Sequence, residues 1–172
     1  MTLLSSEREL PAGDPLDLIE QIVSAHEWPY DRQSAGELTV FVAGNWAEYN
    51  LHFAWNGPRS AADFGGLQLV CAFDVRIPKG SHTPTYELLS KINGQMWLGH
   101  FDLVEDEGLL MYRHGVLMCE GQRVTLAECE NLIEIAITEC ERFFPAFQFV
   151  VWGGKKPDEA LEMALLETVG EA

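Results

Sequence analysis

The sequence predicts an α+β fold: helices covering one face of a mainly antiparallel five-stranded sheet, in the order α-β-β-β-α-β-β-α with a closing helix. Three observations carry that expectation. Several segments alternate apolar and polar residues with a period of two, which marks strands with a single buried face. Others repeat apolar residues every three or four positions behind a capping residue, which marks amphipathic helices. The links between strand-like segments are mostly short and hold Gly, Asn and Asp, as antiparallel hairpins require.

Residues 1–13 show neither period and are expected to form a loose tail before a single domain over residues 14–172. The first helix opens at Asp14-Pro15, where the Asp14 side chain can accept from free amides and Pro15 suits the first helical position. Leu16, Ile19, Ile22, Val23 and His26 follow at helical spacing, and Pro29 ends the run by excluding Trp28 from the α region.

Three strands come next. Leu38, Val40 and Val42 share one face of the first, and Tyr49, Leu51, Phe53 and Trp55 share one face of the second. The third sets Leu67, Leu69, Cys71, Phe73, Val75 and Ile77 against Gln68, Val70, Ala72, Asp74 and Arg76. Gly44-Asn45 supplies the first turn, while Asn56-Gly57-Pro58 and Gly65-Gly66 bracket a longer connection. Thr83-Pro84 then starts a helix carrying Leu88, Leu89, Ile92, Met96 and Trp97, with Gly99 placed for a left-handed cap.

A hairpin follows, with strands over 100–105 and 109–118 joined by Asp106-Glu107-Gly108. Thr125-x-x-Glu128 reads as a capping box, and Leu126, Cys129, Ile133, Ala136, Cys140 and Phe143 form one apolar stripe behind it. Pro145 either kinks this helix or begins another that runs to Trp152. Gly153-Gly154 ends the segment, and Pro157-Asp158 opens the closing helix with Ala160, Leu161, Ala164 and Leu165.

Composition narrows the function. The chain of 172 residues has 27 acidic against 11 basic side chains, a formal charge of −16 that excludes nucleic-acid binding driven by phosphate contacts and favours any basic partner. The longest apolar run, 143–152, is broken by Pro145 and Gln148, so no membrane insertion is expected. Glu7, Arg8 and Glu9 stand where a signal peptide needs an apolar stretch, which implies a cytoplasmic protein. Cys71, Cys129 and Cys140 fall among core-like neighbours and are expected to be reduced, buried small hydrophobes.

No motif of established mechanism is present: no phosphate loop, His-Glu-x-x-His helix, nucleophile elbow or EF-hand. The one arrangement suggesting a small metal- or thiol-dependent hydrolase is the hairpin, with His100, Asp102 and His114, alongside Cys119 in the turn after it. Strand register argues against the metal set. Keeping Phe101 and Leu103 on the face of Leu110 and Tyr112 puts Arg113 opposite His100 and diagonal to Asp102, with His114 on the other face. An Asp102–Arg113 ion pair is then expected in its place. Glu105-Asp106-Glu107 reads as a solvated turn, because three consecutive carboxylates cannot converge on one cation. No catalytic, metal or cofactor residue is assigned.

The tryptophans and the segment Phe147–Trp152 point to contact surfaces. Trp55 shares its strand face with other large apolar residues and reads as core, whereas Trp46 lies in a tight connection where burial is hard. A helix apolar on nearly every side is either fully buried or covered by another chain.

Trp97-Leu98-Gly99-His100-Phe101-Asp102, then Tyr112-Arg113-His114, then the block Cys140–Gly154 with Pro157-x-Glu159-Ala160-Leu161, resemble the bacterial YbjN-domain family over residues 15–172. The resemblance implies a sensory-transduction regulator with a fold like that of type III secretion chaperones, which are small, acidic, dimeric proteins that hold partner polypeptides. It transfers no catalytic residue. It implies a homodimer contact through the helix between the third and fourth strands, at Tyr86, Leu89, Asn93 and Trp97, with Trp46, Phe147 and Trp152 as further surface candidates for a protein or peptide client. The plain alternative is that all seven fill the core of their own chain.

Overall fold

The computed structural model describes residues 14–57, 65–118 and 124–169. Its elements are α1 (Pro15–Ala25), β1 (Tyr30–Ser34), β2 (Glu37–Ala43), β3 (Glu48–Asn56), β4 (Gly65–Arg76), a 3-10 turn at Lys79–Ser81, α2 (His82–Asn93), β5 (His100–Val104), β6 (Leu109–Met118), α3 (Leu126–Val151) and α4 (Pro157–Val169). The six strands form one sheet in the order β1-β2-β3-β4-β6-β5, every neighbouring pair antiparallel. The α+β class therefore holds, with one strand more than the five expected.

The added strand is β1. Its sequence, Tyr-Asp-Arg-Gln-Ser, has no apolar alternation and is largely exposed, so it sends no periodic signal. Backbone pairing to β2 holds it instead, with Tyr30 opposite Val40 and Arg32 opposite Leu38. Arg32 also ties this edge to α1, reaching Asp14 at 3.6 Å, Asp17 at 3.3 Å and Glu20 at 3.0 Å.

The inward alternation of the other strands builds the core as expected. Leu38, Val40, Tyr49, Leu51, Phe53, Leu69, Cys71 and Tyr112 are fully buried beneath the helices. Asp14 caps α1 by accepting from the Leu16 amide at 3.0 Å. In the β2–β3 turn the Asn45 amide donates to Glu141 Oε1 of α3 at 2.7 Å, and a Cβ on Gly44 would collide with that carboxylate and the Tyr49 ring. Only glycine fits there.

One helix boundary departs from the sequence expectation, and an alternative left open at Pro145 is decided. Helix α2 ends at Asn93, so Met96 and Trp97 lie beyond it and Gly94 occupies the cap position. Gly99 does adopt a left-handed φ of 69°, five residues further on, where the chain enters β5. Helix α3 runs unbroken from Leu126 to Val151 with Pro145 inside it. Pro145 cannot donate to the Glu141 carbonyl, and burial of Phe143, Phe144, Ala146 and Phe147 around it favours the continuous helix. Phe144 stacks on Phe73 at 5.3 Å, while Phe147 meets Phe101 at 5.4 Å. Helix α4 covers α3 with Ala160, Leu161 and Ala164, and Lys91 of α2 reaches its Asp158 at 2.7 Å. No helix among the described residues is long and apolar enough to cross a membrane.

Candidate functional site

The hairpin settles into the register expected from its apolar face: His100 stands opposite Arg113 and Asp102 opposite Met111. Arg113 Nε lies 3.4 Å from Asp102 Oδ2, a half-exposed pair worth about 0–1 kcal/mol. His114 is on the opposite face beside Tyr112, whose hydroxyl lies 3.3 Å from its Nδ1. Burial holds His114 below the ordinary imidazole pKa. Among the described residues no group of three or more His, Cys, Asp and Glu gathers as a ligand set. Cys119 lies outside the described residues.

The seven surface candidates separate into three groups. Leu89, 6% exposed, and Phe147, 2% exposed, are core residues and not surface ones. Tertiary packing explains both, because α3 lies against α2 and α4 lies against α3. Asn93 is half-buried, and its carboxamide is spent on the backbone of Phe101. Trp46, Tyr86, Trp97 and Trp152 are exposed, Trp97 to 94% and Trp152 to 56%.

Trp97 directly precedes Leu98 in the chain, and Leu98 lines a groove of about 420 Å³ with Leu67, Val116, Met118, Leu132 and Ile135. His114, Glu128 and Asn131 supply its polar groups. Leu117, at the rim, is 62% exposed. Amide and then hydroxyl donation from Thr125 holds the Glu128 carboxyl below the usual carboxylate pKa. This surface joins a large unburied aromatic to an apolar depression, the combination that protein partners cover.

A second groove, of about 320 Å³, lies between the end of α1 and the middle of α3. Ile22, Ile133 and Ile137 give it an apolar lining, Trp28 and His26 stand on the α1 side, and Glu130 and Glu134 on the α3 side. Neither groove was read from the sequence. Leu117 carried the one usable signal, a large apolar residue at an outward position of β6, in step with Arg113 and Gly115.

The family model described as "Putative bacterial sensory transduction regulator", the YbjN model, matches residues 15–149. Among solved structures, the chain is similar to that of YbjN from E. coli, described as a putative transcription regulator. The two share 12% identity with a TM-score of 0.50, and the similarity covers 95% of this chain and 96% of that one. At that identity the likeness speaks for the fold alone. No curated protein matches.

Proposed function

The chain belongs to the YbjN family, and from that premise we propose that it is a cytoplasmic, non-catalytic regulator: a homodimer that acts by holding a segment of another protein. The observation that carries this reading is Trp97, 94% exposed and adjacent in the chain to Leu98, which lines the groove. A Trp side chain presents roughly 150–250 Å². Covering most of it with a second chain returns about 4–6 kcal/mol before the cost of association. A net charge of −16 supports regulation through proteins and not through phosphate contacts to nucleic acid.

Light scattering tests the dimer. The expected mass is twice the 19.3 kDa of the chain, falling to 19.3 kDa in a Trp97→Ser, Leu98→Ser variant that keeps the wild-type circular dichroism. A wild-type mass of 19.3 kDa at concentrations up to about 100 μM refutes the dimer, since that corresponds to less than about 6 kcal/mol of association.

A further inference from the structure

We propose that the groove between α1 and α3 docks a basic amphipathic helix of a partner protein, with its apolar residues inward and Lys or Arg on its flanks. The inference rests on the reading of the chain as a holder of protein segments and adds the place and chemistry of that contact.

The face of α3 in the groove is periodic. Glu130, Ile133, Glu134 and Ile137 stand at i, i+3, i+4 and i+7, so two isoleucines and two carboxylates share one side of the helix. Ile133 is buried and Ile137 half-buried, while both glutamates are exposed. Among the described residues no Lys or Arg lines the groove. The ion pair of α3 among the described residues is Arg142 with Glu139, away from this face, and among those residues Glu130 and Glu134 have no cation of their own. From Glu130 to Thr138 the groove follows α3 for about 12 Å, room for about two turns of a guest helix and two apolar anchors.

The opposite wall is set by an unusual backbone. Glu27, with φ 57°, is the one non-glycine residue at positive φ among the described residues. It closes α1 with a Schellman pattern, in which Glu27 N–H donates to the Ser24 carbonyl at 3.2 Å and Trp28 N–H to the Val23 carbonyl at 3.0 Å. The turn brings His26 and Trp28 ring on ring, 4.5 Å apart and 16° from parallel, at the groove wall.

The chemistry of the occupant follows from the lining. An apolar floor supplies affinity, and an uncompensated acidic rim on a chain of net charge −16 steers cationic partners toward it. A second copy of this chain does not fit that description. Helices α1 and α4 carry no Lys or Arg, and α2 and α3 carry one each, Lys91 and Arg142.

The test uses the full chain and a fluorescein-labelled peptide of about 18 residues, in which Leu recurs at helical spacing and Lys fills the flanks. Fluorescence anisotropy is expected to show binding that weakens about tenfold in a Glu130→Lys, Glu134→Lys variant. A Glu105→Lys, Asp106→Lys variant, which makes the same change in net charge on the hairpin turn, is expected to stay within about twofold of wild type. An Ile137→Ser variant with unchanged melting is expected to bind about tenfold more weakly as well. Equal weakening in both charge variants, or no binding of the peptide, overturns the proposal. Neither outcome alters the light-scattering mass, which tests the dimer separately.

Discussion

The carboxamide of Asn93 pairs with both backbone groups of Phe101: Nδ2 donates to the carbonyl at 2.9 Å, and Oδ1 accepts from the N–H at 2.8 Å. Because β5 is an edge strand, this side chain takes the place of a further strand and fastens the end of α2 to the sheet. Asn93→Ala would leave two half-buried backbone groups without their partner. The expected loss is about 2 kcal/mol, at about 1 kcal/mol for each bond, seen as a lower urea midpoint with unchanged slope. A loss below about 0.5 kcal/mol would show that solvent replaces the side chain.

Gly99 is required twice over, by its φ of 69° and by its contact with Tyr112. A Cβ there would run into the Tyr112 hydroxyl, which itself donates to the Leu98 carbonyl at 3.2 Å. Gly99→Ala is expected to cost about 2–3 kcal/mol. A Tyr112→Phe background should recover only part of this cost, because the ring atoms Cζ and Cε2, which Phe keeps, also crowd the added Cβ. A double-mutant cycle with no coupling would place the whole penalty in the backbone and the ring, and none in the hydroxyl.

The capping box of α3 makes acid stability titrate. The Thr125 amide donates to Glu128 Oε2 at 2.7 Å, and the Glu128 amide donates back to the Thr125 hydroxyl at 3.2 Å. These donors hold the Glu128 carboxyl below its ordinary 4.5, so as pH falls the unfolded chain takes up the proton first. The stabilisation is complete above pH 4.5 and is lost as pH drops through the lower folded value. Melting temperatures of wild type and Glu128→Gln should differ by a constant amount at neutral pH and converge in acid. Thr125→Ala should cost about 1 kcal/mol.

The described cysteines should be chemically silent while the chain is folded. Cys71, Cys129 and Cys140 are buried, and burial, with the Glu128 and Glu130 carboxylates adding to it, pushes the Cys129 thiol up to about 11. Burial and the neighbouring Cys71 raise Cys140 as well. In a Cys119→Ser chain, an aromatic disulfide reagent at about pH 8 should find three reactive thiols only after denaturant is added. Since the unfolded Cys129 thiol releases its proton near its ordinary 9.0, stability should fall as pH rises from 9.0 toward about 11. Rapid labelling of native protein would contradict this burial.

What sequence reading reached, and what it did not, follows the range of each interaction. The Asp14 cap, the capping box at Thr125, the inward faces of β2, β3 and β4, and the register that separates His114 from Asp102 all rest on neighbours within a few residues or on one hairpin. Strand β1 escaped because a polar edge strand is held by backbone pairing, which leaves no mark on side-chain periodicity. Helix α2 is shorter than its apolar spacing predicts because Asn93 and Gly94 stop it, and the partner of Asn93 lies across the chain turn in β5.

Period, caps and turn residues act locally, so the α+β class, the buried faces of most elements and the burial of three cysteines are legible in the chain's order of residues. The place of Phe147 in the core, the one helix through Pro145 and the groove that Glu130 and Glu134 frame with His26 and Trp28 emerge when the elements pack. These depend on which helices lie against one another. That choice is made by packing the whole apolar surface at once, and no single stretch of chain contains it.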